Sequence, residues 1–206
     1  MIAAVVLAAG LSRRMGQDKL RLPLGGRPLF AYSIDLAASL PFVDERVLVT
    51  NTPQIASYGA AHGFRAVPSP RAADGMGHSV AAGAAAVGPG VDTVLFLNAD
   101  QPFLTAGLLH SLCKTSREGD CIAVPRAAGR PCSPCVFPAR FGTWTRRGSW
   151  TSRTRALWPT WMTRRPIAAM RSRAAAMGKW RYAGQGRRTP GRSWHICMRS
   201  AARPTT

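Results

Sequence analysis

The sequence predicts a three-layer α/β/α sandwich on a mostly parallel, Rossmann-like sheet. Two observations carry this. Short apolar, β-branched runs alternate with helix-length segments over residues 1–141, and strands spaced in that way pair in parallel through right-handed crossovers. The chain is also the right size, since 206 residues with 46% hydrophobic content can bury one core.

Each element has its own signal. Ile2–Leu7 reads as a strand, and residues 8–26 read as a Gly-containing loop. Pro28 suits the first position of a helix that carries Leu29, Phe30, Ile34 and Leu36. Arg46–Thr50 is the second strand, and Pro53 and Gln54 open a helix that should stop at Gly63. Arg65–Val67 is a short third strand. A Pro-, Asp- and Gly-rich loop then leads to an Ala-rich helix over His78–Val87 and to Thr93–Leu97, the most strand-like run in the chain. Thr105 fits the N-cap of a helix with Leu108, Leu109 and Leu112 on one face, and Cys121–Val124 and Cys135–Phe137 read as further strands.

Charge divides the chain. It holds 28 Lys plus Arg against 9 Asp plus Glu. Residues 1–141 carry 13 of those bases and all 9 acids, a net +4; residues 142–206 carry 15 bases and no acid. The second part also holds all six Trp, and only Leu157, Ile167 and Ile196 represent Leu, Ile, Val and Phe there. Such a composition argues against a packed core, so a poorly structured C-terminal segment is expected.

No apolar stretch approaches the roughly 18 residues that span a bilayer. The opening MIAAVVLAAG has no basic residue before its apolar run and has Arg13 and Arg14 after it, the reverse of a secretory signal. A cytoplasmic protein without a membrane partner is expected, with Cys113, Cys121 and Cys197 as free thiols.

Ligands of such sheets sit beyond the carboxyl ends of the strands. The first loop there is Leu7-Ala8-Ala9-Gly10-Leu11-Ser12-Arg13-Arg14-Met15-Gly16-Gln17-Asp18-Lys19. Its small residues let backbone N–H groups approach an anion, and Arg13, Arg14 and Lys19 add positive charge. On spacing alone it fits a phosphate cradle or a polar loop that carries three cations. It matches neither the P-loop nor the dinucleotide-binding Gly pattern.

The stretch LAAGLSRRMGQDKL resembles the signature of the MobA-like nucleotidyltransferases. Three further segments follow in the family's order: Pro23-Leu24-Gly25-Gly26-Arg27-Pro28-Leu29, Gly75-Met76-Gly77-His78-Ser79-Val80 and Leu97-Asn98-Ala99-Asp100-Gln101-Pro102-Phe103. The resemblance covers residues 1–141 and implies the nucleotide-diphospho-sugar transferase type of α/β sandwich. It also implies that Leu7, Ala8, Ala9, Gly10, Ser12, Arg13, Gly16, Gly75 and Ser79 bind the nucleotide. Arg14 would face the β and γ phosphates and Lys19 the α-phosphate, as the catalytic pair. Asp100 would hold Mg2+, a hard cation commonly bound by one or two carboxylates plus substrate phosphates. Gln101, Pro102, Ser133 and Pro134 would lie on the acceptor side.

Ala8-Ala9-Gly10 and the Gly75-Met76 loop are closer to relatives that use CTP than to those that use GTP. The implied reaction transfers CMP from CTP to molybdopterin and releases pyrophosphate, and the product would pass to a molybdenum hydroxylase. A guanylyl- or sugar/polyol-phosphate nucleotidyltransferase of the same fold is the alternative. Cys132-Ser133-Pro134-Cys135 lacks the second pair or nearby His of a zinc set, so a loop role is expected for it.

Residues 142–206 admit two readings. Interleaved Trp and Arg could stack on bases and track phosphates, giving a nucleic-acid-binding protein. The other reading is translation in the wrong frame. Trp is TGG, Met is ATG and Thr is ACN, so starting each codon at the present third base turns Trp-Thr into an apolar residue followed by Asp. Trp144-Thr145 and Trp150-Thr151 both convert in this way, and Trp161-Met162-Thr163 becomes an apolar residue followed by two Asp. One constant shift restores acids at three places, including the Asp-Asp-Pro-like segment that the resemblance implies before a second metal carboxylate. Nucleic acid is therefore not the expected partner, and the transferase is expected to be C-terminally incomplete and impaired.

Overall fold

The computed structural model describes residues 1–10, 18–127, 130–138 and 194–198, with backbone alone for Arg130 and the last five. Its elements run β1 (Ile2–Leu7), β2 (Pro23–Leu24), β3 (Arg27–Pro28), α1 (Leu29–Ala38), β4 (Glu45–Val49), α2 (Pro53–Ala61) and β5 (Arg65–Val67). Then come α3 (Met76–Ala86), β6 (Thr93–Asn98), α4 (Ala106–Gly119), β7 (Ile122–Ala127), β8 (Arg130–Pro131), β9 (Cys135–Pro138) and β10 (Trp194–Met198). β2 and β3 form a separate small hairpin.

The main sheet has the order β10-β7-β9-β6-β1-β4-β5, with β8 on β7. β6, β1, β4 and β5 are parallel. β1 is buried along its whole length, as a central parallel strand covered on both faces must be. β9 runs antiparallel between β6 and β7. The link 128–134 is too short for the helical crossover that a parallel partner needs, so β9 turns back. β8 and β10 are likewise antiparallel to β7.

Side chains alternate between the two faces. Ala4, Val6, Leu48, Leu95 and Leu97 meet Phe30 and Ile34 of α1, Ile55 of α2 and Leu109 and Leu112 of α4. Val5, Val47, Val49 and Phe96 face the other way, with Val80 of α3. Three layers result, as the alternation predicts.

Helix ends follow local chemistry. α2 closes with Phe64 N–H on the Gly59 carbonyl (2.9 Å) and Gly63 N–H on that of Ala60 (3.1 Å), while Gly63 takes φ 78°. This is the left-handed stop that Gly permits. α4 starts where Thr105 Oγ1 accepts from Leu108 N–H at 3.3 Å.

Some expectations change. Pro28 closes the hairpin and α1 begins at Leu29, because Pro28 keeps an extended ψ of 143°. The Ala-rich helix begins two residues before His78, at Met76. Cys121 is disulfide-bonded, which overturns its reading as a free thiol. The expected poorly structured segment from residue 142 lies outside the described residues, apart from Trp194–Met198, which pairs with β7 at Ile196↔Val124. Among the described residues no helix is long and apolar enough to cross a membrane.

Candidate active site

The carboxyl ends of β1, β4, β5 and β6 open to one end of the sheet, and the described ones among the predicted site residues lie at or beside that end. Leu7 and Ala8 fix the base of the first loop. Ala8 donates its N–H to the Val49 carbonyl (2.7 Å), and its own carbonyl accepts from Thr50 Oγ1 (3.3 Å); Ala99 N–H donates to the Leu7 carbonyl (3.0 Å). Leu7, Ala8 and Ala9 are buried, whereas Gly10 is exposed. The Ala8 N–H is thus committed to the sheet, and an anion could be offered N–H groups only further along the loop. Ser12, Arg13, Arg14 and Gly16 lie outside the described residues.

At the far end of that loop Asp18 Oδ1 accepts from Leu20 N–H at 3.1 Å. The cap starts a single 3₁₀ turn, Lys19–Arg21. Lys19 Nζ reaches Asp100 Oδ2 at 3.1 Å across 81 residues of chain. The two side chains are 43% and 39% exposed, so the pair adds only about 0.5 kcal/mol of stability. Its interest is positional, because a cation and a carboxylate singled out by sequence meet beyond the carboxyl ends of β1 and β6.

The turn that carries Asp100 is clamped from below and from the side. Ser33 of α1, fully buried, donates to the carbonyls of Asn98 (3.1 Å) and Gln101 (3.3 Å). Gln101 Nε2 donates to the Ser133 carbonyl (3.0 Å), and Ser133 Oγ donates to Gln101 Oε1 (2.9 Å). The two acceptor-side residues, 32 positions apart, therefore hold each other, with Pro102 in the same turn and Pro134 following Ser133 through a cis peptide. A carboxylate held by this framework suits a hard divalent cation that takes its remaining oxygens from a substrate. Among the described residues no group of three His, Cys, Asp or Glu could hold a metal by itself.

The middle loop is tied to the end of β4. Asn51, just beyond β4, pairs with the Ser69 backbone through Nδ2 to the carbonyl (2.9 Å) and N–H to Oδ1 (2.8 Å). Ser69 Oγ lies 3.0 Å from Ser79 Oγ, both buried. Ser79 is thus a brace of the loop, while Gly75, at φ 128°, makes the turn into α3. Ser33, Asn51 and Ser69 belong to no sequence motif and were not foreseen.

Burial pushes the thiols of Cys132 and, more strongly, Cys135 upward, so the thiolates that zinc or redox chemistry requires are disfavoured.

Comparison with known proteins fits this geometry. The MobA-like NTP transferase domain matches residues 4–158. The purine catabolism protein PucB of Bacillus subtilis is 34% identical over 146 residues, 66% of this chain and 70% of that protein. A probable molybdenum cofactor guanylyltransferase of Pyrococcus furiosus is 37% identical over 51 residues, 25% of this chain and 26% of that one. The crystal structure of 4-diphosphocytidyl-2C-methyl-D-erythritol synthase from Anaerococcus prevotii shares the fold, with a TM-score of 0.59, 17% identity and coverage of 74% and 77% of the two chains. The matched segment spans 27% to 70% of the length of the first curated relatives. With a family match over three quarters of its length, the chain belongs to the MobA-like NTP transferase family of nucleotidyltransferases.

Proposed function

We propose that the site transfers CMP from CTP to molybdopterin, with release of pyrophosphate. The observation that carries this is the Lys19–Asp100 pair at 3.1 Å, set at the carboxyl end of the sheet beside the first loop. A phosphate oxygen of the acceptor attacks the α-phosphorus, the new P–O bond forms, and the bond to pyrophosphate breaks. No side-chain nucleophile is needed, so the protein positions the reactants and neutralises charge.

Each residue has a part in that scheme. Backbone N–H groups from Ala9 through Ser12 cradle the triphosphate, and Arg13 and Gly16 complete the loop. Arg14 faces the β and γ phosphates, and Lys19 offsets charge at the α-phosphate. Asp100 would hold Mg2+, which when bound offsets phosphate charge and orients the leaving group. Gln101 and Ser133 line the acceptor side together with Pro102 and Pro134. The base would rest against the loop from Gly75 to Ser79.

Ala8-Ala9-Gly10 and the Gly75-Met76 loop support CTP, whereas the Pyrococcus relative's name supports GTP as the second reading. Calorimetric titration of the chain with CTP and GTP in Mg2+ separates them. Tighter binding of CTP is expected, and a preference for GTP would reverse the assignment. CTP binding by an active, frame-restored chain without molybdopterin-dependent pyrophosphate release would instead favour a sugar- or polyol-phosphate acceptor.

We further propose that residues from about 142 onward are translated out of frame. Support comes from the loss of acids after Asp120 and their return under one shift. The chain as written should release little or no pyrophosphate, and the same gene with its frame restored after residue 141 should be active. Sequencing the gene decides the point, since an unbroken frame without the family-like alternative would refute it.

A further inference from the structure

We propose that Ser33 is a positioning residue, which sets the Asp100 carboxylate against Lys19 and thereby governs how phosphate binding responds to a divalent cation. The inference rests on the nucleotide-binding reading above. A serine inside a helix usually turns its hydroxyl to solvent or back onto the carbonyl four residues earlier. Ser33 lies fully buried on the face of α1 that carries Phe30, Ile34 and Ala37. Its hydroxyl leaves the helix for the carbonyls of Asn98 (3.1 Å) and Gln101 (3.3 Å), 65 and 68 positions on. One proton is thus forked between the two ends of the segment 98–101, with Asp100 inside it.

That segment begins where the sheet is letting go of β6. Among the described residues β9 leaves β6 at Phe96↔Cys135, whereas β1 follows it to Leu7↔Asn98 and to the Ala99 N–H. Past Ala99 the backbone is held by Ser33 on one side and by the Gln101–Ser133 pair on the other. The helix that carries Ser33 also holds Lys19. Leu29 N–H, at the first residue of α1, donates to the Leu22 carbonyl at 3.0 Å, and Leu22 N–H donates to the Lys19 carbonyl at 3.2 Å. Ser33 follows Leu29 by four residues, about one helical turn. α1 is therefore a common mount, with its first residue fixing the turn of the cation and Ser33 fixing the turn of the carboxylate. The 3.1 Å contact between Lys19 and Asp100 is set by these two grips on one helix. A carboxylate beside an ammonium divides its attraction between that charge and any cation that arrives with a phosphate, so a shift of its turn alters its hold on the cation.

The test is calorimetric titration of the full chain with pyrophosphate, once in Mg2+ and once in EDTA. Ser33→Ala, which removes the fork without adding volume, should weaken binding in Mg2+ by about fivefold and leave binding in EDTA within about twofold of the parent. On an Asp100→Asn background the same change should alter binding in Mg2+ by less than about twofold, because the group it positions is already gone. Ser33→Cys keeps the shape with only a weak donor. It should show the Ser33→Ala pattern at about threefold, and it decides the matter alone if Ser33→Ala does not fold. Equal weakening in Mg2+ and EDTA, a full loss repeated on the Asp100→Asn background, or unchanged binding in Mg2+ would overturn the proposal. A parent chain that binds no pyrophosphate, or binds it without regard to Mg2+, would instead refute the reading of the site on which this inference stands, and the inference with it.

Discussion

On one face of the sheet α1, α2 and α4 press Phe30, Ile34, Ile55, Leu109 and Leu112 onto the strands; on the other, α3 brings Val80 among alanines and glycines. Bulky side chains stand between α1 and α4 and the sheet, whereas small residues let α3 come close, as Gly59 does for α2, where an added Cβ would lie 2.3 Å from Leu48 Cδ2. A Cβ added at Gly83 would lie 2.5 Å from Val5 Cγ1 and 2.9 Å from Val49 Cγ2. The two faces are thus built from different mixtures of bulk and close approach. The first buries large apolar groups. The second gives up volume to bring the Gly75–Ser79 turn down to the ends of β4 and β5.

The largest expected effect is on the bulky face. Phe30→Ala should cost about 3–5 kcal/mol in urea unfolding, and Val80→Ala distinctly less; equal costs would break the comparison. Next comes Gly83→Ala, which should destabilise by about 1–3 kcal/mol through overpacking, more than the roughly 1 kcal/mol of helix propensity that Ala adds. The same change at Gly107, where a new Cβ meets nothing within 4 Å, should be neutral or stabilising by about 0.5 kcal/mol. Thr105→Ala, which removes the α4 cap, should cost about 1 kcal/mol.

The smallest effect near neutral pH concerns Cys113, whose thiol burial pushes up from 9.0 to about 12. In the unfolded chain the thiol loses its proton near pH 9, while the folded chain keeps it, so the folded state binds more protons between those values. Stability should fall as pH rises from about 9 to 12, and Cys113→Ala should flatten that slope. The slope is read from urea midpoints across the range.

Much of the fold was legible because periodicity reports burial. The strand at Thr93, the Thr105 cap, the stop at Gly63 and the strand over Arg65–Val67 stand where local chemistry puts them. The hairpin at Pro23–Pro28 was hidden by its two-residue strands, too short for any period. β9 is readable as a strand, but its place between β6 and β7 depends on long-range packing. In the site, Lys19, Asp100, Gln101 and Ser133 were legible through motifs. The clamps beneath them were not: Ser33 is one more small residue on a helix, and Asn51 one more polar residue after a strand. Ser79 was seen as a ligand group, but its hydroxyl is turned onto Ser69.

The place of β9 also sets a limit on how far the chain can be shortened. Among the described residues β7 joins the parallel strands through β9 alone. A ribosome that has released residues 1–130 has made β7 but not the strand that fastens it. Any cut before Cys135 therefore strands β7 with its share of the apolar face in water. A piece that keeps β7 fastened to the parallel strands therefore extends at least to Pro138, inside the stretch whose reading frame the composition leaves intact.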